Sequence, residues 1–219
     1  NYLHKKQTGG SGQYAKVIGY IEPLPEGTTG KEGKVITYEF VNDVIGTNIP
    51  SEYIQSCAKG FEDATKRGGM IGAQVQGLRV VLQDGQSHSV DSSDLAFRTA
   101  AASALRSVMK NAGPAILEPI MSIEVTAPSE FQGIIVGGLN KRMGLIQSSS
   151  MNDDGSGSIV KADIPLAQMF GYSTDLRSCT QGKGEFTMEY KDHQSVTKDA
   201  QEKLVREYQQ TKGENQKKA

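Results

Sequence analysis

The sequence predicts an α+β fold in two domains, and three features of the chain indicate it. Strand-type and helix-type segments alternate along all 219 residues, and the pair Gly113-Pro114 separates two such series. Apolar residues make up 37% of the chain and charged residues 22%, which supports folded cores rather than general disorder. We therefore expect a first domain at 1–113, a second at 114–195, and a C-terminal helix with a disordered tail at 196–219.

The first domain contains three predicted strands. Residues 14–21 form a strand-type segment that two prolines end, and residues 35–41 alternate apolar and polar side chains, which is the period of a half-buried strand. A third strand is predicted at 75–82. The Asp84-Gly85 pair that follows is typical of a turn, so we expect the chain to reverse there.

Two helices complete the predicted first domain. Apolar residues recur at helical spacing after Ser51, which can cap the helix, and Gly68-Gly69 ends it. Residues 91–113 are the clearest helix, with an alanine-rich face that would allow close packing against a sheet. Its start offers four residues suited to capping or to the helix dipole, namely Asp91, Ser92, Ser93 and Asp94.

The second domain is predicted to follow the order strand, helix, strand, strand, helix, strand. This order is typical of the split βαβ, ferredoxin-like sandwich. A final exposed helix is expected at 198–211, followed by a disordered tail. The segments of the second domain are a strand at 115–127, a helix at 129–142, strands at 145–149 and 158–164, a short helix within 166–180 and a strand at 185–190.

Composition excludes several function classes. Net charge is −1, so any contact with nucleic acid must be local rather than spread over the surface. Such a local region exists at the start of the chain, where Lys5, Lys6 and Lys16 precede the first acidic residue, Glu22. No stretch reaches the roughly 20 apolar residues of a membrane-spanning helix, and no signal-peptide pattern opens the chain. We expect no membrane partner.

The two cysteines, Cys57 and Cys179, are too few and too far apart in the sequence to suggest a disulfide scaffold or a zinc site. A reducing compartment is the simpler interpretation. The chain begins at Asn1 rather than at Met, so we expect it to be a fragment of a longer protein, which leaves room for a targeting sequence upstream.

The opening segment HKKQTGGSGQYAKV allows three interpretations. A nucleotide-binding loop is disfavoured, because both lysines precede the glycines and a strand rather than a helix follows them. The glycines could simply supply turn conformations before a strand. The third interpretation is a loop that probes RNA, in which backbone amides approach the sugar–phosphate chain and the lysines compensate phosphate charge. The residue pattern alone leaves the second and third open.

Several longer segments, in order along the chain, closely resemble the C-terminal part of translational elongation factor G. The resemblance covers about residues 2–210, and APSEFQGIIVGGLNKRMG, LQDG and GKGEFTMEY most resemble mitochondrial type-1 members of the family. The segments are HKKQTGGSGQYA, IPSEYIQSCAKGFEDA, SHSVDSSDLAF, LEPIMSIEV and MFGYSTDLRSCTQGKGEFTMEY.

The resemblance implies two domains of that factor, the fourth with a ribosomal-protein-S5-like βαβ fold and the fifth ferredoxin-like. It implies a ribosome-dependent GTPase whose GTP and magnesium sites lie in an N-terminal domain outside this chain. The chain itself would then hold no catalytic residue, cofactor or metal. Its expected role is mechanical: the fourth domain reaches the ribosomal decoding site during translocation of tRNA and mRNA.

The site residues follow from the same resemblance. Two tip loops are expected to contact the codon–anticodon duplex, with Lys5 and Lys6 beside the first loop and His88 in the second. Many bacterial members carry arginine where Ser11 stands, which leaves more of the phosphate contact to the two lysines, and Ser87 stands where tyrosine is common. Lys141 and Arg142 end a predicted helix and are possible rRNA contacts. The first loop comprises Gln7, Thr8, Gly9, Gly10, Ser11 and Gly12.

The implied partners are the ribosome, its rRNA and the tRNA–mRNA duplex, with the chain acting as a monomer in the mitochondrial matrix. Three other function classes stay open at this stage. The first is a ribosome-recycling paralogue of the same family, and the second is a stand-alone RNA-binding module, which net charge −1 disfavours. The third is a nucleotide-binding enzyme, which the order of lysines and glycines disfavours.

Overall fold

The computed structural model describes residues 1–6, 12–25, 27–30, 33–152 and 155–217, with side chains to residue 213. The chain divides into two compact units. The first comprises Asn1–Pro114 together with Lys203–Ala219, and the second comprises Ala115–Glu202. The fold is α+β, because each unit combines one four-stranded sheet with helices.

The first unit has a mixed sheet in the order β1-β2-β4-β3. Strands β1 and β2 are antiparallel, β2 and β4 are antiparallel, and β3 runs parallel to β4. A parallel pair needs a crossover, and helix α1 supplies it between β3 and β4. The elements are β1 Tyr2–Lys6, β2 Gln13–Pro23, β3 Tyr38–Asn42, α1 Ser51–Thr65, β4 Leu78–Gln86 and α2 Asp94–Met109.

Strand β1 was not predicted from the sequence. Its five residues, YLHKK, lack the apolar alternation that predicts a strand, and as the edge strand of the sheet it is mostly exposed or half-buried. Pairing with β2 along its whole length holds it in place. Lys5 and Lys6 therefore lie on a strand and not within a loop.

The turn predicted at Asp84-Gly85 is wrong, because both residues lie within β4. Pairing with β2 holds both residues extended, with Ile18 opposite Asp84 and Val17 opposite Gly85, and the Asp84 carboxylate accepts a hydrogen bond from the backbone N–H of Gly85 at 2.7 Å. Gly85 is needed for close strand approach: an added methyl group would lie 2.2 Å from the carbonyl oxygen of Lys16.

Helices α1 and α2 pack against each other and against one face of the sheet, and the core of the unit lies between them. Ser93 caps α2, since its hydroxyl accepts a hydrogen bond from the N–H of Ala96 at 3.2 Å. The expected cap at Ser51 is wrong: Ser51 is the first residue of α1, and Pro50 precedes it without a side-chain cap. The least exposed core residues include Ala15, Cys57, Leu82, Ala96, Phe97, Ala100 and Ala101.

Gly60 is a point at which the backbones of α1 and α2 approach too closely for a side chain to be added. A methyl group there would lie 2.3 Å from the carbonyl oxygen of Arg98 and 3.0 Å from Cβ of Ala101. We expect Gly60→Ala to lower the free energy of unfolding of the first unit by about 1–3 kcal/mol through overpacking. Urea unfolding of the 219-residue chain measures the change.

Gly69→Ala is the matched control for this prediction, because nothing lies within 4 Å of a methyl group added at Gly69. We expect it to change stability by less than about 0.5 kcal/mol. Equal urea midpoints for the two variants would contradict the close approach of the helices.

The second unit is a ferredoxin-like sandwich. Its elements follow the order β5, α3, β6, β7, α4, β8, and its antiparallel sheet has the order β6-β7-β5-β8. This is the predicted order of strands and helices. Its core includes Ile123, Val125, Leu139, Val160 and Ile164. The elements are β5 Leu117–Pro128, α3 Gln132–Lys141, β6 Leu145–Met151, β7 Gly157–Pro165, α4 Tyr172–Cys179 and β8 Glu185–Ser195.

The last helix, α5 Lys198–Lys217, is longer than predicted. It continues beyond residue 211, where we expected a disordered tail to begin. From Lys203 onward it belongs to the first unit, where Tyr208 lies close to Gly72: a methyl group added to Gly72 would be 2.6 Å from the tyrosine Oη. The predicted separate segment 196–219 is therefore divided between the two units.

Both cysteines are free thiols. Cys57 is fully buried in the first unit, and burial raises the pKa of its thiol to about 12. Such a thiol packs as a small apolar side chain rather than acting as a nucleophile.

Candidate nucleic-acid interface

The two predicted tip loops start from the same end of the first sheet. Lys6 and Gln13, the last residue of β1 and the first of β2, are cross-strand partners. At this end of the sheet, Gln86, the last residue of β4, pairs with Lys16 of β2. The segment 87–93 therefore begins beside the hairpin that contains the first loop.

Gln7, Thr8, Gly9, Gly10 and Ser11 lie outside the described residues, so the prediction that they contact RNA stays a prediction. Gly12 is described, and it lies directly against Asp91 of the second loop. A methyl group added to Gly12 would be 2.4 Å from Oδ1 of Asp91, which only glycine avoids without rearrangement. The end of the first loop thus touches the second.

Ser92 joins the second loop to β2. Its hydroxyl accepts a hydrogen bond from the N–H of His88 at 2.8 Å and donates one to the carbonyl oxygen of Tyr14 at 2.7 Å. The N–H of Tyr14 donates to the carbonyl oxygen of Asp91 at 2.8 Å. The backbone that carries His88 is therefore held by hydrogen bonds at the start of β2.

The ring of His88 is oriented by its own loop. Its Nδ1 accepts hydrogen bonds from the N–H groups of Val90 at 3.3 Å and Asp91 at 3.2 Å. In the neutral ring the proton consequently resides on Nε2, which makes that atom a hydrogen-bond donor. The side chain is 45% exposed, and Oδ2 of Asp91 lies 3.6 Å from Nδ1.

Tyr14 supplies an aromatic ring beside His88 that sequence reasoning missed. The two ring centroids are 5.9 Å apart, and the Tyr14 hydroxyl donates to Oε1 of Gln86 at 2.9 Å. The family resemblance directed attention to position 87, where serine stands, and not to the adjoining strand. The alternation of side chains along β2 could have indicated Tyr14, because Ala15 is buried and the side chain of Tyr14 therefore points away from the core.

Lys5 and Lys6 are both exposed, but their side chains point in different directions. Successive side chains of a strand point to opposite faces, so these two lysines lie on opposite faces of the β1–β2 hairpin. On the face of Lys6, His4 Nε2 and Gln13 Oε1 form a hydrogen bond of 2.8 Å. Neither lysine forms an ion pair with any residue in the described part of the chain.

The two predicted rRNA contacts, Lys141 and Arg142, lie in the second unit, and only one of them is free to contact RNA. Lys141, the last residue of α3, is exposed. Arg142 is instead engaged within the unit: its guanidinium donates to the carbonyl oxygens of Gln168 and Phe170 and forms an ion pair with Asp175. The prediction of an rRNA contact at this helix end therefore depends on Lys141 rather than on Arg142.

Arg142 binds backbone carbonyl groups of the segment before α4, so its removal should lower the stability of the second unit. The guanidinium carbon also lies 5.5 Å from the ring centroid of Tyr172. We expect Arg142→Ala to lower the free energy of unfolding of the second unit by about 2–3 kcal/mol, because it leaves two carbonyl oxygens without their donor. Denaturant unfolding followed by the fluorescence of a label on Cys179 would report it.

Lys141→Ala is the matched control, and we expect it to change stability by less than about 0.5 kcal/mol. A variant Arg142→Ala as stable as Lys141→Ala would show that the guanidinium contacts contribute nothing. Arg142→Lys should recover only part of the loss, because lysine lacks the planar fork that reaches several acceptors at once.

The described residues offer neither a metal-binding cluster nor a membrane-spanning helix. No group of three or more His, Cys, Asp or Glu side chains is placed to hold a metal ion within this part of the chain. Among the same residues, none of the helices combines the length and apolar character required to cross a membrane.

Both units match models of known protein domains. Residues 1–113 match the model described as "Elongation factor G, domain IV", and residues 115–204 match the one described as "Elongation factor G C-terminus". The boundary between the matches coincides with that between the two compact units near residue 114.

Relatives include mitochondrial and bacterial proteins. The chain is 50% identical to Elongation factor G-1, mitochondrial, of Arabidopsis thaliana over 212 residues, covering 97% of this chain and 27% of the relative. It is 47% identical to Elongation factor G 1 of Desulfotalea psychrophila over 210 residues, covering 96% and 29%. It is also 47% identical to Elongation factor G, mitochondrial, of Drosophila pseudoobscura pseudoobscura over 216 residues, covering 99% and 28%.

A solved structure is similar as well. A crystal structure of a protein from Thermus thermophilus has a TM-score of 0.80 and 36% sequence identity, and the match covers 95% of this chain and 30% of that one. The chain thus spans less than a third of the length of these relatives. It belongs to the elongation factor G family and carries that family's domain IV and C-terminal domain.

Proposed function

We propose that this chain is the ribosome-engaging arm of a translational GTPase that promotes translocation of tRNA and mRNA. In this proposal the loops at 7–12 and 87–93 form one tip, which contacts the codon–anticodon duplex in the decoding site. The second unit contacts rRNA, with Lys141 as a candidate residue. The full-length factor binds GTP and magnesium in its N-terminal domain, and this chain takes part in the reaction mechanically.

One observation carries the proposal: Gly12 lies against Asp91, and Ser92 joins the His88 loop to the carbonyl oxygen of Tyr14 at 2.7 Å. Two segments that are distant in the chain therefore meet at one end of the first unit. A protein that inserts between RNA surfaces needs such a joined tip, since two separate flexible loops would lose more conformational entropy on binding.

The chemistry of the tip suits RNA. The Nε2–H of His88 can donate to a phosphate oxygen, a 2′-hydroxyl or a base edge, all of which are acceptors. Glycines at the first loop allow close backbone approach, and Lys5 and Lys6 offer positive charge on either side of the hairpin. Only a few charges take part, so we expect the binding of the isolated arm to RNA to be weak.

The tip acts by occupying space and by hydrogen bonding, and its chemistry needs no covalent step. When the GTP-dependent domains of the full-length factor change conformation, the arm moves with them. The tip then replaces the contacts that hold the duplex in the decoding centre, and the two RNAs advance together without slipping back.

We propose the mitochondrial matrix as the place of action. Mitochondrial relatives at 50% and 47% identity support it, although a bacterial relative is also 47% identical. Microscopy of the full-length factor fused to a fluorescent protein tests this. Signal that coincides with a matrix marker supports the proposal, and signal spread through the cytosol contradicts it.

The first loop provides a direct test. We expect Gln7→Ala in the full-length factor to slow single-turnover translocation about tenfold. The substitution removes a side-chain amide that, in this proposal, forms hydrogen bonds with RNA only while the duplex moves, so its loss raises the barrier to movement. Ribosome-stimulated GTP hydrolysis should stay within about twofold, since the GTP site is elsewhere. Rapid mixing with a fluorescent mRNA measures translocation, and phosphate release measures hydrolysis.

Gln55→Ala, at an exposed position on α1, is the matched control and should leave both rates unchanged. Parallel loss of translocation and hydrolysis in Gln7→Ala would contradict the mechanical role of the arm. A Gln7→Ala variant that translocates as fast as Gln55→Ala would remove the first loop from the site.

A further inference from the structure

The β1–β2 hairpin has two faces with different surroundings. Ala15 and Val17 of β2 point into the core and are nearly inaccessible, so the neighbouring positions along the strand point away from it. The register pairs Lys5 with Tyr14 and Leu3 with Lys16, which places all four side chains on the side away from the core. We call this surface the outer hairpin face; its residues are Leu3, Lys5, Tyr14 and Lys16.

Positive charge on the outer hairpin face is not compensated by ion pairs. Neither Lys5 nor Lys16 pairs with a carboxylate in the described part of the chain. The far end of the same sheet differs, because Arg79 of β4 is held between Glu22 at 2.8 Å and Glu39 at 2.5 Å. An unpaired cation on a sheet is available to a partner, whereas a paired one must first give up its attraction to the carboxylate beside it.

Asp84 of β4 is an acidic residue close enough to Lys16 for the two charges to interact. Its Oδ1 accepts from the N–H of Gly85 at 2.7 Å and from the amide of Asn48 at 3.1 Å. The same two groups, followed by the charge of Lys16, lower the pKa of Asp84. The carboxylate is therefore held by a backbone and an amide donor and forms no ion pair with Lys16.

The outer hairpin face is continuous with the tip. Tyr14 lies on this face and is also the tip residue whose ring centroid is 5.9 Å from that of His88. Lys16 is two residues further along β2, which corresponds to about 7 Å. A ligand that contacts His88 can therefore extend over Tyr14 to the two lysines without leaving the surface.

We infer that the outer hairpin face binds the sugar–phosphate backbone of a single RNA strand that continues from the tip. Phosphates would lie at Lys5 and Lys16, and the Tyr14 ring would pack against a ribose or a base. A row of cations interleaved with an aromatic ring is the pattern that proteins use for unpaired strands, because it matches repeated charge and flat apolar faces. The inference rests on the proposed function and extends the RNA contact beyond the two loops.

Salt dependence tests the inference on the full-length factor. We would measure its affinity for pretranslocation ribosomes over a KCl series, comparing the natural sequence with the double variant Lys5→Ala/Lys16→Ala. Loss of two phosphate contacts should reduce the slope of log affinity against log salt by about 1.4. Over a fourfold rise in KCl concentration, the double variant should therefore lose about sevenfold less affinity than the natural sequence loses.

The matched control is Lys59→Ala/Lys110→Ala, which removes the same charge from two exposed positions, one on α1 and one directly after α2. Its slope should equal that of the natural sequence. A double variant Lys5→Ala/Lys16→Ala with the control's slope would overturn the inference.

The kind of partner is tested by cross-linking. Leu3 is 47% exposed on the same face, so a benzophenone amino acid at that position would react with whatever covers it on the ribosome. A nuclease-sensitive product supports an RNA strand. A protease-sensitive product means that an acidic ribosomal protein covers the face, and it overturns the assignment.

The inference and the proposed function can fail separately. If His88→Ala slows translocation while the lysine double variant retains the natural salt slope, the tip is retained and the outer hairpin face is rejected. If His88→Ala and Gln7→Ala both translocate at the natural rate, the proposed function itself is wrong, whatever the lysines do.

Discussion

His88→Ala in the full-length factor is expected to slow translocation by about 10–100-fold while GTP hydrolysis stays within about twofold. The Nε2–H of His88 is presented at the tip as a donor, because its Nδ1 is occupied by the N–H groups of Val90 and Asp91. A hydrogen bond to a charged or strongly polar RNA oxygen contributes about 1.5–3 kcal/mol, and each 1.4 kcal/mol corresponds to tenfold in rate.

Two further variants test whether the effect of His88→Ala comes from the loss of the Nε2–H hydrogen-bond donor. His88→Gln keeps an N–H group at about the position of Nε2, so it should recover part of the rate, whereas His88→Ala should not. His193→Ala removes an exposed histidine of the second unit, whose ring is hydrogen-bonded to Tyr190, and should leave translocation unchanged. If His88→Gln is as slow as His88→Ala, donation from this position is not the reason for the effect.

Ser92→Ala is the second substitution with a large expected effect, although Ser92 is a positioning residue and not a proposed RNA contact. The change removes the hydroxyl that joins the N–H of His88 to the carbonyl oxygen of Tyr14. We expect a loss of about 1–2 kcal/mol in stability, from two hydrogen bonds, and translocation slowed about tenfold because the two loops are no longer held together. Thermal unfolding and single-turnover translocation measure the two effects.

Ser93→Ala separates positioning from stability. Ser93 caps α2 through the N–H of Ala96, so its loss should cost about 1 kcal/mol without releasing the His88 loop. We expect Ser93→Ala to translocate normally despite its lower stability. Equal slowing in both serine variants would mean that general destabilisation, and not the link to Tyr14, explains the result for Ser92→Ala.

Periodic segments were predictable from the sequence, and positions governed by tertiary contacts were not. Helix α2 and the βαββαβ order of the second unit follow from hydrophobic spacing and turn residues. Strand β1 has no such pattern, because an edge strand rich in lysine depends on its neighbour for order. The Asp84-Gly85 pair is typical of a turn, but it lies within β4. Gly85 packs closely against the backbone of Lys16 in β2, and a contact between residues so far apart in the sequence cannot be predicted from the local pattern.

The candidate site shows the same division. Resemblance to a family directed attention to His88 and the first loop, but the groups that hold them could not be read from local sequence. Ser92 looked like one of several possible helix caps, and its link to Tyr14 joins positions 78 apart in the chain. Arg142 looked like a cation at a helix end that could reach RNA, and its acceptors belong to the segment before α4.

The central claim is that both loops form one tip and that this tip meets the codon–anticodon duplex. A density map of the full-length factor on a ribosome during translocation tests it most directly. We predict that Nε2 of His88 lies within hydrogen-bond distance of an RNA oxygen of that duplex, with residues 7–12 on the same duplex. A map in which the His88 loop faces solvent, or in which the two loops contact different parts of the ribosome, would contradict the account.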